Sequence, residues 1–336
     1  MATPRFDLVV IGAGIAGLSL ALASARRGLR VKVVERDPDK HFRRQGFNLV
    51  LSDWSGQALA DACGVPDMRT KYDYCCDADP WGWLPLTAHI RASSLLSRFL
   101  RGFGAVRRGE FRDDLLARCE QAGVSIAFGT ALESLEQSPD HVTCRFGAQP
   151  ETQARVVAGC DGVNSWTRNL TLPALKARKC GAVCIRGAAP DDGSLHALAS
   201  APRCKSLLLF VSCCPGAGFN ATCFGGTITW VLEIDAALAA TGLHAAITQR
   251  CGQWHPVFPR LMLELTPAES LYVETLQEAP VTTITHTCFS RLLQETTDPY
   301  RDWPSLTAGL GRRDGVQGER PRDAARGRGA SGDLDR

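Results

Sequence analysis

Gly12-Ala13-Gly14-Ile15-Ala16-Gly17 has the spacing GxGxxG. Glycine at those three positions answers three steric demands. Gly12 permits a tight turn, Gly14 lets the backbone approach a pyrophosphate, and Gly17 lets a helix pack close to a strand. A helix opening at Ile15 and Ala16 presents free N–H groups and a partial positive charge to phosphates. Glu35 stands 18 residues after the third glycine, with Arg36 beside it. A carboxylate there accepts hydrogen bonds from ribose hydroxyls and disfavours a 2′-phosphate, so the pattern points to FAD or NAD rather than NADP. Arg43, Arg44 and Gly46 follow as a cationic stretch suited to phosphate or flavin. Arg112, Leu115 and Cys119 are spaced Arg-x-x-Leu-x-x-x-Cys. An arginine in the first turn of a helix opposes the helix dipole unless an anion sits there. Finally, residues 156–168 run from a β-branched stretch into Cys160-Asp161-Gly162, an Asp-Gly turn.

The elements that must position these residues are legible around them. Residues 6–11 form a short apolar run that reads as a strand buried on both faces. Residues 15–27 are alanine- and leucine-rich without proline and read as a helix stopping at Gly28. Residues 29–35 read as a second strand. Strand, turn, helix and strand make one βαβ unit with a right-handed crossover. Helices are expected at 55–63, 93–103 and 112–122, and strands at 124–128, 141–146 and 154–158. From 180 to 276 the texture changes to longer strands, such as 206–212 and 227–234, with glycine and proline between them. That pattern implies an antiparallel sheet, with helices at 243–251 and 258–265 lying on it.

Length and composition exclude several classes. With 336 residues, 45% hydrophobic and 22% charged, the chain is an ordinary globular protein, large enough to bury a core without disulfides. Thirty-eight basic against 35 acidic residues leave +3, which gives no electrostatic footprint for nucleic acid. Residues 8–25 carry no charge, but the glycine spacing and the weakly basic approach argue against a membrane span or signal peptide. The expectation is therefore a cytoplasmic protein without an integral membrane segment, and an idle sequon at Asn169-Leu170-Thr171. Fourteen scattered cysteines include no CxxC and no zinc spacing, so the reading is free buried thiols and no metal. The seven histidines stand apart from one another and read as structural or surface residues. Residues 312–336 combine seven arginines, five acidic residues and five glycines with almost no large apolar side chain, and read as disordered.

The GxGxxG with Glu35, the Arg112 helix and Gly159-Cys160-Asp161-Gly162-Val163-Asn164-Ser165-Trp166-Thr167-Arg168 together resemble the FAD-dependent monooxygenases of the para-hydroxybenzoate hydroxylase type. That family's form of the last motif reads G-A-D-G-x-x-S-x-x-R, with Cys160 here in place of the alanine. The resemblance covers about residues 6–170 and is loose from 180 to 305. It implies an α/β fold in which a Rossmann-like FAD-binding domain is interleaved with a mainly antiparallel β-sheet substrate domain. The expected division is 1–70 and 96–179 for FAD, 71–95 for a first crossing, 180–280 for substrate, 281–311 for an incomplete return, and 312–336 for the tail. The resemblance also implies that Asp161 and Gly162 serve both FAD and NAD(P)H, and that Arg112 contacts the FAD pyrophosphate region. The implied reaction uses NAD(P)H and O2 to hydroxylate or epoxidise a small, aromatic or polycyclic substrate through a flavin C4a-hydroperoxide. The flavin carries the hard chemistry, so no catalytic residue is assigned. Tyr72, Tyr74, Trp81 and Trp83 fall where the family's chain first crosses into the substrate domain.

One family motif is missing. A G-D-A-A-H sequence followed by proline and G-x-G is expected after Trp303-Pro304, where the chain instead reads Gly311-Arg312-Arg313-Asp314-Gly315. This motivates two expectations: a tail read out of frame, or a truncated remnant that holds FAD weakly. Other flavin oxidoreductases of the same fold, prenyl reductases and halogenases, form a nearby alternative. Trp81-Gly82-Trp83-Leu84-Pro85 echoes the halogenase W-x-W-x-I-P only in part. An NAD-dependent dehydrogenase is the third alternative, and the Asp-Gly turn argues against it. Substrate, oligomeric state and the choice between NADH and NADPH stay open.

Overall fold

A computed structural model of the chain describes residues 5–42, 48–65, 70–71, 74–77, 103–147, 149–199, 206–214 and 217–278. Arg43, Arg44, Gly46, Tyr72, Trp81, Trp83, the helix expected over most of 93–103, the return at 281–311 and the tail at 312–336 lie outside the described residues.

The first sheet grows from the βαβ unit: β1 (Arg5–Ile11), α1 (Ile15–Ala25) and β2 (Val31–Val34). It is completed by β7 (Ser125–Ala127), β8 (Ser134–Gln137), β9 (Val142–Phe146) and β10 (Gln149–Gly159). The order is β7-β2-β1-β10-β9-β8. β7, β2, β1 and β10 are parallel neighbours, while β9 and β8 add antiparallel pairings at one edge. The register sets Ile11 opposite both Val34 and Gly159, so three parallel strands end level. Val9, Val10, Val33 and Val34 are wholly buried, as a parallel sheet covered on both faces requires. On one face Leu18, Leu22, Leu115, Leu116 and Cys119 pack α1 and α3 (Arg108–Gln121) over the strands. Val9, Ile11, Cys144 and Phe146 build a smaller core on the other.

The Arg112 helix differs from expectation. It begins four residues earlier, at Arg108, directly after β6 (Phe103–Arg107), with Glu110 in its first turn. Arg112 therefore lies a full turn inside, beyond the first turn where the helix dipole would oppose its charge. β6 is the middle strand of a three-stranded antiparallel sheet with β3 (Asn48–Ser52) and β4 (Thr70–Lys71). Ser52 then caps α2 (Asp53–Cys63), accepting the Ser55 N–H, and Gly64 ends that helix in the left-handed conformation.

The third sheet has the order β15-β11-β14-β13-β12-β5. Its strands are β11 (Arg178–Pro190), β12 (Ser206–Cys214), β13 (Ala217–Phe224), β14 (Thr227–Asp235) and β15 (Tyr272–Glu278), antiparallel throughout, with β5 (Tyr74–Asp77) added in parallel to β12. One face carries Ile185, Ile228, Trp230, Leu232 and Phe219, packed against α6 (Leu243–Cys251) and α7 (Val257–Arg260). Phe219, Trp254 and Phe258 meet edge to face, with centroids 5.4–6.0 Å apart. The helix expected over 258–265 is α-helical only to Arg260 and continues as a π-helical turn, Leu261–Leu265. There the Thr266 hydroxyl donates to the Leu261 carbonyl at 2.6 Å. Asn48 of β3 donates to Thr222 and Thr229 of this sheet at 3.4 and 3.3 Å, joining the second and third sheets.

Candidate dinucleotide site

Gly12, Glu35 and Asp161 leave the carboxyl ends of β1, β2 and β10, which end level in adjacent positions. α1 follows β1 onto one side, and β10 closes the other. A crevice at the carboxyl ends of parallel strands, where neighbouring connections diverge, is where open α/β sheets bind ligands.

The glycine turn is shaped by contacts that exclude side chains at two of its three positions. Gly12 has φ +108°, and a Cβ there would sit 2.5 Å from the Cys160 carbonyl oxygen. A Cβ on Gly17 would overlap the Gly12 carbonyl oxygen. Gly14 differs: among the described residues nothing lies within 4 Å of its absent Cβ. Its side of the turn is open, as an approaching phosphate needs. No side chain caps α1, and its first turn holds no acidic residue, so the helix itself supplies no charge against its dipole there.

Glu35 is half-buried and already engaged. Its Oε2 accepts the Ala13 N–H at 2.8 Å and its Oε1 the Asp37 N–H at 3.0 Å. An ionised carboxylate offers about four lone-pair sites, so acceptor capacity remains for ribose hydroxyls. Arg36 next to it is exposed.

Arg112 is 3% exposed. Its Nε donates to the Ala13 carbonyl at 2.9 Å and its Nη1 to the Lys40 carbonyl at 2.8 Å. The guanidinium thus holds the glycine turn and the segment after β2 together.

The Asp-Gly turn is built around the Asp161 carboxylate. It accepts from the Ser165 hydroxyl at 2.5 Å, the Thr167 N–H at 3.0 Å and the Thr167 hydroxyl at 3.1 Å. Burial alone would raise its pKa, but these hydrogen bonds outweigh burial and hold the carboxyl below its ordinary value. Ser165 also caps α4 (Trp166–Thr171) by accepting the Arg168 N–H at 2.9 Å. Gly162 has φ +79° and is exposed at the tip. Cys160 donates its N–H to the Ile11 carbonyl at 2.7 Å, tying this turn to β1.

Gly12, Gly14, Ile15, Ala16, Gly17, Glu35, Arg112, Asp161 and Gly162 therefore gather at one end of the sheet. One group that the sequence reading treated as separate residues is brought together elsewhere. Asp191, His196 and Cys223 place their donor atoms within 4.8 Å of one another. Spacing could not reveal this, because the hairpin between β13 and β14 folds Cys223 back beside a loop 27 residues away.

The chain is 29% identical over 213 residues to the FAD-dependent monooxygenase orf3 of Aspergillus niger, covering 59% of this chain and 48% of that protein. It is 27% identical over 191 residues to 3-hydroxybenzoate 6-hydroxylase 1 of Aquipseudomonas alcaligenes, covering 55% and 48%. The chain thus spans about half the length of these relatives. Its fold is shared with CtdE, solved in complex with FAD and a substrate, at a TM-score of 0.64 and 16% identity over 82% of this chain and 69% of that one. The family model described as lycopene cyclase protein matches residues 7–188. That span holds the glycine turn, Glu35, Arg112 and the Asp-Gly turn, and it ends within β11, before most of the third sheet. Since it takes in more than half of the chain, the chain belongs to the lycopene cyclase protein family, and the relatives it aligns with are FAD-dependent monooxygenases.

Proposed function

We propose that the chain binds FAD at the carboxyl ends of β1, β2 and β10 and acts as a monooxygenase on a small organic, aromatic substrate, with NAD(P)H and O2 as co-substrates. The observation that carries this reading is the convergence of the open Gly14 turn, the Glu35 carboxylate and the Asp161 turn at one sheet end. The residues present fit a dinucleotide. Gly14 leaves room for the pyrophosphate against the uncapped start of α1, and Glu35 keeps lone pairs for the ribose.

When bound, the flavin supplies two-electron reduction and oxygen activation. The chain's own residues bind and orient. Glu35 and Arg112 fix the Ala13 peptide so that the α1 N–H groups face one point. Asp161, held ionised by Ser165 and Thr167, gives the β10 turn a fixed shape beside that point. Arg36 and Arg44 are assigned to the anionic cofactor by their place after β2. The third sheet supplies the substrate wall, the name 3-hydroxybenzoate 6-hydroxylase of one relative giving the substrate class.

The visible absorption spectrum of the purified chain with FAD, before and after NADPH, tests the reading. A flavin band that bleaches under nitrogen and returns in air is the expected result. A protein that takes up no FAD overturns it.

A further inference from the structure

We propose that Asp191, His196 and Cys223 form a binding site for one zinc ion, separate from the dinucleotide site. The donor atoms of the three side chains lie within 4.8 Å of one another. A thiolate, an imidazole and a carboxylate make a donor set suited to zinc, whereas calcium and magnesium take oxygen ligands.

The three come from different elements, each fixed by its own contacts. Asp191 follows β11 directly; its N–H donates to the Gly226 carbonyl at 3.0 Å and its Oδ1 accepts the Gly193 N–H at 3.0 Å. His196 lies in α5 (Ser194–Leu198) and is 7% exposed. Its Nε2 is 3.0 Å from Asp191 Oδ2, and its Nδ1 is buried without a hydrogen-bond partner among the described residues. Cys223 is 1% exposed on β13.

Two other uses of the cluster are disfavoured. Cys223 is 1% exposed and so sealed from substrate, and the trio is therefore not a nucleophilic triad. Asp192 does not join the cluster, because Ser194 and Arg260 already hold its carboxylate, the latter at 3.0 Å. The Asp191 side chain is 16% exposed and gives the cluster its contact with solvent, from which the remaining ligand, a water, would come. Binding forms Zn–S, Zn–N and Zn–O bonds, releases the Cys223 thiol proton to solvent, and involves no redox change. The ion then cross-links the end of β11, α5 and β13.

The test uses the full chain, stripped with a chelator, dialysed against zinc and then against buffer. Retained zinc is read by atomic emission, with circular dichroism as the check on folding. One equivalent is expected on the wild type and on Cys180→Ser, whose thiol is exposed. Cys223→Ser and Asp191→Asn, both near-isosteric, should retain none. Zinc should raise the unfolding midpoint of the wild type and leave those of the two variants unmoved. Wild type without retained zinc, or variants that keep as much as wild type, overturns the proposal. If Cys223→Ser fails to fold, the Asp191→Asn result decides alone.

Discussion

Glu35 and Arg112 grip Ala13 from its two polar ends: Glu35 Oε2 accepts its N–H at 2.8 Å and Arg112 Nε donates to its carbonyl at 2.9 Å. The residue so clamped sits between Gly12 and Gly14, where the backbone is intrinsically least restrained. A carboxylate at the end of β2 and a guanidinium from α3 therefore remove the freedom that the glycines introduce. Arg112→Met keeps length and apolar contact but leaves the Ala13 and Lys40 carbonyls without their donor. We expect a loss of about 2–3 kcal/mol in urea unfolding, the range for losing buried charge-assisted hydrogen bonds. FAD affinity should fall at least about tenfold, equivalent to about 1.4 kcal/mol.

The three motif glycines should respond differently to the same methyl group. Gly12→Ala and Gly17→Ala place a Cβ against backbone oxygens that cannot move aside, and Gly12 adds the strain of φ +108°. Both should unfold at clearly lower urea. Gly14→Ala meets nothing within 4 Å among the described residues and should leave stability within about 0.5 kcal/mol. Yet it should weaken FAD, because its methyl occupies the space assigned to the pyrophosphate. Equal stability losses for all three would remove the basis for reading Gly14 as the ligand-facing position.

Asp161 gives the site an acid limit. Its folded-state pKa lies below the unfolded value of about 3.9, because hydrogen bonds from Ser165 and Thr167 outweigh the effect of burial. A depressed pKa contributes stability that is fully present above the unfolded value and is lost as pH falls through the folded one. Urea midpoints of the wild type should therefore drop on acidification below about pH 4. Asp161→Asn, which has no charge to protonate, should be less stable at pH 7 and lose less between pH 4 and 2. Parallel acid curves for the two proteins would assign the limit to other carboxylates.

How much of this was legible in the sequence depended on range. The glycine turn, α1 and β2 are local: apolar runs, glycine spacing and one acidic residue specify them within 35 residues. The Asp-Gly turn was legible for the same reason, because Asp161, Ser165 and Thr167 satisfy one another within seven residues. Arg112 was marked by type but given the wrong position, since β6 feeding straight into α3 moved the helix start to Arg108. Its work on Ala13 acts across 99 positions and leaves no local pattern. The Asp191, His196 and Cys223 cluster was invisible for a similar reason. Only the pairing of β13 with β14, and of β11 with β14, closes that gap.

The third sheet's core makes a last prediction that separates folding from cofactor binding. Gly187 of β11 lies against the ring of Trp230, and a Cβ there would approach Cε2 and Cζ2 at 2.5 Å. Trp230 is wholly buried, and its Nε1 donates to the Thr266 hydroxyl at 2.8 Å, so the ring cannot retreat without breaking that bond. That hydroxyl in turn donates to the Leu261 carbonyl, so movement would spread into the π-helical turn. Gly187→Ala should therefore cost about 1–3 kcal/mol, as overpacking does. None of these atoms belongs to β1, β2 or β10, and the FAD affinity of the folded fraction should be unchanged. Thr266→Val should show the same separation at a smaller cost, since it removes the hydrogen bonds without adding volume. If either variant lost FAD while still folded, the dinucleotide site could not be confined to the ends of the parallel strands.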